Sequence, residues 1–184
     1  MTEKASKIGV TGSRGARVKV FLGPGATGGT ASLQPYLAGL AERGIQAQAV
    51  QLPGNAERAV SAYLQQSGTG PDVIVGGRSF GGRVASLAAA DPDNEFAGLL
   101  LFAYPLHRPG FPAQLRTAHW PRIRCPVLIV QGESDPFGSP DELRREMRKL
   151  QDGRLVTLPG TGHGLKERLQ EALTAAADWI ATLP

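Results

Sequence analysis

The strongest constraint on the fold is an alternation of short apolar runs with segments of helical periodicity. Apolar runs lie at residues 18–22, 72–75, 97–103 and 127–130. Runs without internal alternation are typical of strands buried on both faces of a parallel sheet. The segments between them repeat apolar residues every three to four positions, as amphipathic helices do. The β-α unit recurs about six times, which predicts an α/β fold: a three-layer αβα sandwich with a mostly parallel sheet of about six strands.

Local patterns add detail to this prediction. Residues 45–49 alternate apolar side chains with glutamines, and this period of two predicts a half-exposed strand at a sheet edge. Ser139 precedes Pro-Asp-Glu, so we expect it to cap a helix, with Glu142 completing a capping box. The last helix is expected to place Leu165 and four later apolar residues on one side.

Composition limits the classes of protein that the chain can belong to. A chain of 184 residues with 41% hydrophobic residues suits one domain with a buried core. Residues 1–19 hold five basic residues and one acidic residue, which accounts for the formal charge of +4. We predict a mobile basic segment over residues 1–16 and an α/β domain over residues 17–184. Because phosphate binding needs basic groups clustered on one face, we predict no nucleic-acid partner.

The sequence contains no pattern typical of a membrane-spanning segment, a disulfide or a metal site. No apolar run approaches the roughly 20 residues that a membrane span requires, and the first residues contain no secretory signal pattern. We therefore expect a cytoplasmic location and no membrane partner. The single cysteine, Cys125, has no disulfide partner in the chain, and the three histidines lack metal-ligand spacing. No metal and no cofactor are predicted, and the pattern does not indicate an oligomeric state.

The motif with the clearest chemical meaning is Gly-Arg-Ser-Phe-Gly at residues 77–81. It has the form G-x-S-x-G and stands directly between an apolar strand and a helix, which is the context of a nucleophile elbow. There the serine occupies a strained turn, and the two glycines let neighbouring backbone segments approach closely. This predicts Ser79 as a nucleophile. The alternative is a glycine-rich turn that packs a helix on the sheet and leaves Ser79 merely exposed.

A serine nucleophile needs a base and an orienting carboxylate. Asp135 follows the strand at 127–130, and His163 follows the last strand between two glycines. This order, serine then acid then histidine, is that of α/β-hydrolases. Structural alternatives are a solvated turn aspartate and a loop histidine, and Glu133 is a rival acid. His107 and His119 fall in the irregular segment 105–124, where we expect surface or lid roles.

The glycine-rich loop from Gly23 to Thr30 satisfies more than one pattern. Its glycines fit the dinucleotide fingerprint G-x-G-x-x-G, and they also fit a phosphate loop in which Gly29 replaces the lysine. A nucleotide-binding module is therefore one alternative function, and a non-catalytic interaction protein on a hydrolase fold is another. In a hydrolase, the loop supplies an oxyanion-hole N–H near Ala26, paired with the N–H of Phe80.

Three further residues are candidates for contact with a substrate. Arg78 adjoins the nucleophile and either binds an acidic substrate group or forms a structural ion pair. Phe111 and Trp120 lie in the segment of about 20 residues after Tyr104, which is too short for a lid domain. They either border an apolar acyl pocket or attach the segment to the core. We expect an open site for short acyl groups.

The chain also resembles a known family. Its motifs are similar to those of small, cap-less α/β-hydrolases that are distantly related to dienelactone hydrolases, and the similarity spans about residues 17–182. The motifs are GGRSFGGRVAS (76–86), YPLHRPG (104–110), LRTAH (115–119) and VQGESDPFG (130–138).

The resemblance implies a role for each matching residue. Ser79, Asp135 and His163 match the nucleophile, acid and base, and Ala26 and Phe80 match the oxyanion donors. Pro24 stands where many α/β-hydrolases have a histidine, but the donor itself is a backbone group. The implied function is a serine hydrolase that cleaves a small-molecule carboxylic ester or a related acyl bond.

Overall fold

The apolar runs of the sequence form one parallel sheet of six strands. The computed structural model describes residues 18–184, so the basic segment predicted for residues 1–16 lies outside the described residues. In chain order, the strands are β1 (Lys19–Gly23), β2 (Gln46–Ala49), β3 (Gly70–Arg78), β4 (Phe96–Phe102), β5 (Val127–Gly132) and β6 (Gly153–Leu158). Their order across the sheet is β2-β1-β3-β4-β5-β6, and every neighbouring pair is parallel.

The order of the strands creates a crevice next to β1. The chain moves from β1 to β2 at one edge, then crosses back to β3 on the other side of β1. Connections therefore leave β1 and β3 in opposite directions, which makes the carboxyl ends of these two strands the topological switch point. Ligands of open α/β sheets bind at such points. The loop after β1 and the turn after β3 meet there.

Five α-helices cover the two faces of the sheet. They are α1 (Gln34–Ala41), α2 (Ala56–Ser67), α3 (Phe80–Ala89), α4 (Pro140–Glu146) and α5 (Leu169–Thr182). Side chains of α2, α3 and α4 belong to one apolar core cluster, and those of α1 and α5 belong to the other. The predicted three-layer αβα sandwich is confirmed. No helix among residues 18–184 is long and apolar enough to cross a membrane.

The strands follow the burial pattern that the sequence predicts. In β3, Val73 and Val75 contribute to one core cluster and Ile74 to the other, so the strand is buried on both faces. In β2, exposed glutamines alternate with partly buried alanines, and β2 lies at the sheet edge. Both predictions are confirmed, because alternating burial follows directly from the two-residue period of a strand.

Helix boundaries agree with the sequence at α4 and differ at α5. The Ser139 hydroxyl accepts from the Glu142 N–H, and the Glu142 carboxylate accepts from the Ser139 N–H, which is the predicted capping box. These hydrogen bonds lower the pKa of Glu142. In contrast, α5 begins only at Leu169. Leu165 precedes the helix in a left-handed conformation (φ 52°), although its side chain is fully buried.

The irregular segment between β4 and β5 is attached firmly to the body of the protein. His107 is 5% exposed and His119 is 7% exposed, so the expectation that these histidines have surface or lid roles is wrong. The His119 ring lies 2.8 Å from the Ser86 hydroxyl, and His107 Nδ1 lies 2.8 Å from the Arg108 carbonyl. Buried polar groups keep hydrogen-bond partners, and these contacts anchor the segment.

Candidate active site

Ser79 occupies a strained turn between β3 and α3. Its backbone has φ 51° and ψ −113°, a region that residues other than glycine rarely adopt, and such strain is concentrated at functional sites. The Ser79 N–H donates to the Phe102 carbonyl of β4 at 2.9 Å. The turn thereby places the side chain at the carboxyl end of the sheet, above the switch point.

The two glycines of the motif allow α3 to pack directly on β1. A Cβ on Gly77 would lie 2.4 Å from the Gly23 carbonyl oxygen, and a Cβ on Gly81 would lie 2.0 Å from the same atom. A real Cβ atom does not approach backbone atoms this closely. The backbone of Gly23 would have to shift to make room, and this shift would disturb the sheet. Glycine is therefore required at both positions, as the G-x-S-x-G pattern predicts.

The structure brings Ser79, His163 and Asp135 into one hydrogen-bonded chain. His163 Nε2 lies 2.8 Å from the Ser79 hydroxyl oxygen, and His163 Nδ1 lies 2.8 Å from Asp135 Oδ2. The Asp135 side chain is completely buried, whereas the His163 side chain is 18% exposed. This is the geometry in which a carboxylate orients an imidazole toward a hydroxyl.

Three groups hold the Asp135 carboxylate in place. Besides His163, the Gln131 amide donates to Asp135 Oδ2 at 2.8 Å, and the Phe137 N–H donates to Asp135 Oδ1 at 2.8 Å. Gln131 is fully buried at the end of β5, and it also donates to the Gly138 carbonyl at 3.1 Å. The sequence analysis missed Gln131, although a glutamine that ends an apolar strand is a signal of a buried polar contact.

The loop of His163 is fixed from both sides. The Phe137 ring stacks on the imidazole with a centroid separation of 4.2 Å and an interplanar angle of 29°. The Ser134 N–H donates to the Thr161 carbonyl at 3.2 Å, which joins the loop of Asp135 to that of His163. The rival acid Glu133 is exposed to solvent, and within residues 18–184 the hydrogen bonds of the His163 ring go to Ser79 and Asp135 instead.

A cavity of about 350 Å³ opens in front of Ser79. Ala26, Phe80, Phe137 and His163 line it with Ser79, so the two candidate oxyanion donors lie on the same cavity as the hydroxyl. Phe80 is the first residue of α3, and the first N–H groups of a helix have no partner within the helix.

A smaller side cavity of about 210 Å³ adjoins the first. The two share Gly25, Ala26 and Phe80, and the side cavity is bounded further by Pro24 and Leu52. Its walls combine apolar side chains with the backbone of the glycine-rich loop.

Of the other predicted contact residues, only Arg78 lines the cavity in front of Ser79. Phe111 is 53% exposed and borders neither cavity beside Ser79. Trp120 is fully buried and packs against the Tyr104 ring at a centroid separation of 5.2 Å. The predicted substrate contact of Trp120 is wrong for this structure, because its large apolar ring attaches the irregular segment to the core instead.

Comparison with known proteins identifies the family. The alpha/beta hydrolase domain family matches residues 35–183, which is most of the chain. The chain belongs to the alpha/beta hydrolases. The predicted resemblance is thus confirmed at the level of this family.

One relative of this alpha/beta hydrolase is ABHD14B from Rattus norvegicus, which is named provisionally as a protein-lysine deacylase. It is 27% identical over 139 residues. The matched region covers 67% of this chain and 63% of the relative, so the chain spans less than two thirds of the relative's length.

Solved structures share the fold. Est1E from Butyrivibrio proteoclasticus with bound ferulic acid has a TM-score of 0.75 at 15% identity, and the match covers 90% of this chain and 89% of Est1E. A monoacylglycerol lipase from Paleococcus ferrophilus has a TM-score of 0.74 at 16% identity, with coverages of 91% and 95%. At these identities the likeness concerns the architecture of the alpha/beta hydrolase.

The glycine-rich loop takes part in the Ser79 site of this alpha/beta hydrolase. Gly25, Ala26 and Thr27 line the cavity in front of Ser79. The residues that follow β2 are Val50, Gln51 and Leu52, so the acidic residue that binds a ribose hydroxyl in dinucleotide-binding folds is missing at this position. Within residues 18–184, no group of three or more His, Cys, Asp or Glu side chains is placed to hold a metal ion.

Proposed function

We propose that this alpha/beta hydrolase cleaves small carboxylic esters with Ser79 as nucleophile, His163 as base and Asp135 as orienting acid. The observation that carries the proposal is the position of His163, whose two ring nitrogens each lie 2.8 Å from an oxygen of the other two residues. A bare serine is a weak nucleophile, so the hydrogen bond to a positioned imidazole is the feature that matters most.

In the first half of the proposed reaction, the Ser79 oxygen attacks the ester carbonyl carbon while His163 Nε2 takes the hydroxyl proton. The new C–O bond converts the carbonyl oxygen into an oxyanion. Collapse of this intermediate breaks the bond to the alcohol, and the proton on Nε2 passes to the leaving oxygen. Asp135 accepts the Nδ1 hydrogen bond throughout and stabilises the imidazolium.

In the second half, water replaces the alcohol. His163 Nε2 accepts a proton from the water as its oxygen attacks the acyl carbon on Ser79. The second intermediate collapses, the carboxylic acid leaves, and the proton returns to the Ser79 oxygen. All atoms balance with water as the sole co-reactant, so the proposed cycle needs no cofactor.

The backbone N–H groups of Phe80 and Ala26 are the proposed oxyanion donors. Two observations support this role: both residues line the cavity in front of Ser79, and the Phe80 N–H is at the beginning of α3. Donors fixed by the backbone stabilise the developing charge without reorganising during the reaction.

The names of similar proteins guide the choice of test substrates. A ferulic acid complex and a monoacylglycerol lipase are among the structural neighbours, which supports esters as the first class to test. The rat relative carries the name of a protein-lysine deacylase, so amides of acylated lysine are a second class of substrate to test. The narrower assignment to dienelactone-hydrolase-like enzymes and the cytoplasmic location stay predictions.

Labelling with a serine-reactive fluorophosphonate tests the proposal. We expect the wild-type chain to gain one phosphonate at Ser79, mapped by mass spectrometry. Ser79→Ala abolishes labelling, and His163→Ala slows it strongly, because the base is lost. Ser61→Ala, an exposed serine on α2, is the matched control and retains full labelling. A wild-type chain that resists labelling while folded contradicts the proposal.

A further inference from the structure

Three arginines line the cavity in front of Ser79. They are Arg78, Arg83 and Arg116, and among residues 18–184 no aspartate or glutamate lines this cavity with them. None of the three forms a salt bridge with an acidic residue in the described part of the chain. Two arginines outside the cavity do form such pairs: Arg144 contacts Asp141, and Arg168 contacts Glu171.

Arg78 is folded toward the nucleophile. A Cβ on Gly25 would lie 2.9 Å from Arg78 Nη1 and 3.9 Å from Ser79 Cβ. The guanidinium group therefore passes over the glycine-rich loop close to the serine. Tyr36 is a neighbour of Arg78: burial raises the pKa of the Tyr36 hydroxyl, and the charge of Arg78 partly opposes this rise. This neighbour is a neutral phenol, so it leaves the guanidinium group without an anionic partner.

Arg116 reaches the same cavity from the irregular segment between β4 and β5. Its backbone N–H donates to the Leu106 carbonyl at 2.9 Å, and its Nη1 lies 3.4 Å from the Pro105 carbonyl. Buried side chains anchor the segment that carries Arg116. The backbone at Arg116 is therefore held in one position relative to the cavity.

Arg83 supplies the third charge from the first turn of α3. Its backbone N–H donates to the Ser79 carbonyl at 3.0 Å, which ties it to the nucleophile turn. Burial lowers the pKa of Arg116, and the like charges of Arg83 and then Arg108 lower it further. This repulsion raises the electrostatic free energy of the unliganded protein, because like charges destabilise one another at close range. An anion between the guanidinium groups would remove this cost.

We propose that the Ser79 cavity selects acyl substrates that carry a compact anionic group, a carboxylate or a phosphate, which Arg78, Arg83 and Arg116 bind. This deepens the proposed function and rests on it for the cleavage step. Guanidinium groups bind carboxylate and phosphate oxygens in bidentate fashion, so both anions fit the donor set. A volume of about 350 Å³ limits the substrate to a short spacer between the anion and the reacting carbonyl.

Matched esters test the selection. The anionic p-nitrophenyl monoester of glutarate is compared with the neutral p-nitrophenyl pentanoate, which has the same acyl length. We expect kcat/KM for the anionic ester to be at least about tenfold higher, which corresponds to about 1.4 kcal/mol. The preference falls when ionic strength rises from about 0.05 to about 0.5 M, because salt screens partly exposed charges.

Single variants assign the preference to the arginines. Arg83→Gln and Arg116→Gln each lower the ratio of kcat/KM for anionic over neutral ester, and the double variant lowers it most. Arg148→Gln removes the same charge from an exposed position outside the cavity and leaves the ratio unchanged. Equal ratios in the cavity variants and in Arg148→Gln would overturn the proposal, since net charge would then explain the preference.

A binding measurement separates this proposal from the proposed function. Ser79→Ala, titrated by calorimetry, is expected to bind glutarate better than the neutral glutaramide, and glycerol 3-phosphate better than glycerol. The two pairs distinguish carboxylate from phosphate as the preferred anion. If the wild-type chain hydrolyses neither ester while these preferences persist, the proposed function fails and the anion site stands. If neither anion binds better than its neutral analogue, the anion site fails, whatever the turnover.

Discussion

Each end of the sheet carries a cavity, and the larger cavity contains none of the candidate catalytic residues. At the amino ends of β3, β4 and β5, a cavity of about 570 Å³ is lined by turn residues that include Asp91, Pro92 and Cys125. The cavity at the carboxyl ends measures about 350 Å³, yet it contains the strained Ser79 and the His163–Asp135 pair. Positioned polar groups and backbone strain therefore mark the Ser79 end as the candidate site, whereas cavity volume does not.

The two cavities also differ in charge. Asp91, Asp93 and Glu95 line the cavity at the amino ends together with Arg124. In the part of the chain that the structure describes, the cavity beside Ser79 is lined by three arginines and by no acidic residue. An anionic substrate is therefore attracted to one end of the sheet and repelled from the other, because opposite potentials steer association.

The largest expected effect comes from removing the nucleophile or its base. Ser79→Ala and His163→Ala each lower kcat/KM for a p-nitrophenyl ester by at least about 10³-fold, and the double variant loses little more, because the residues act as a unit. Cys125→Ser, in the cavity at the amino ends, is the control and keeps activity within about twofold. Additive losses in the double variant would show that the residues act independently.

The next effect distinguishes the two acidic residues near His163. Asp135→Asn lowers kcat by about 10²-fold or more, because an amide in this position permits the wrong imidazole tautomer. Glu133→Gln, at an exposed site, changes kcat by less than about twofold. Steady-state kinetics on the same ester give both values. A large loss in Glu133→Gln with a small one in Asp135→Asn would reverse the assignment of the acid.

Gln131 is expected to act as a positioning residue for the acid. Gln131→Met keeps the length of the side chain but removes the donor to Asp135 Oδ2. We expect kcat to fall about tenfold, the size of one hydrogen bond to a charged group, while KM stays within about twofold. Gln131→Glu is more damaging, because it places a like charge against Asp135. If both variants changed only thermal stability, Gln131 would have a structural role alone.

A smaller effect concerns the length of the acyl chain. In the series of neutral p-nitrophenyl esters, kcat/KM reaches its maximum at about two to six carbons, because the side cavity is small. Leu52→Ala enlarges this cavity. We expect kcat/KM for longer acyl chains to rise several-fold relative to that for short chains, so the maximum shifts to longer chains. Phe111→Ala, at an exposed position, leaves the maximum unchanged. A wild-type maximum at about twelve carbons or more would refute the short-chain preference.

The smallest effect on activity is expected from alkylation of the Cys125 thiol. Burial raises the pKa of its thiol to about 11, so the thiol is neutral at pH 7.5 and little thiolate is present to react. Alkylation by iodoacetamide, followed by mass spectrometry, is slow at pH 7.5 and accelerates about tenfold per pH unit as pH rises toward 11. Activity is retained on modification. Rapid alkylation at pH 7.5 would show that the cavity at the amino ends holds a reactive group after all.

The parts of this protein that local sequence determined are those that depend on short spacings. A two-residue period set β2 as a half-exposed edge strand, and unbroken apolar runs set the inner strands, because alternating side chains face opposite sides of a strand. The glycines at positions 77 and 81 specified the strained turn that carries Ser79, since only glycine fits against Gly23. The order of Ser79, Asp135 and His163 along the chain identified the candidate triad before any distance was available.

Tertiary structure decided what depends on residues far apart in the chain. Arg83 and Arg116 come from a helix and an irregular segment, and only the packing of that segment directs both to one cavity. The same packing buried His107 and His119, for which the irregular, proline-rich segment had suggested surface or lid roles, and it placed Trp120 in the core rather than beside a substrate. His163 meets Asp135 across 28 residues, because the loops after β5 and β6 lie side by side. Periodicity reports which face of an element is buried, whereas the meeting of distant elements is set by packing of the whole core.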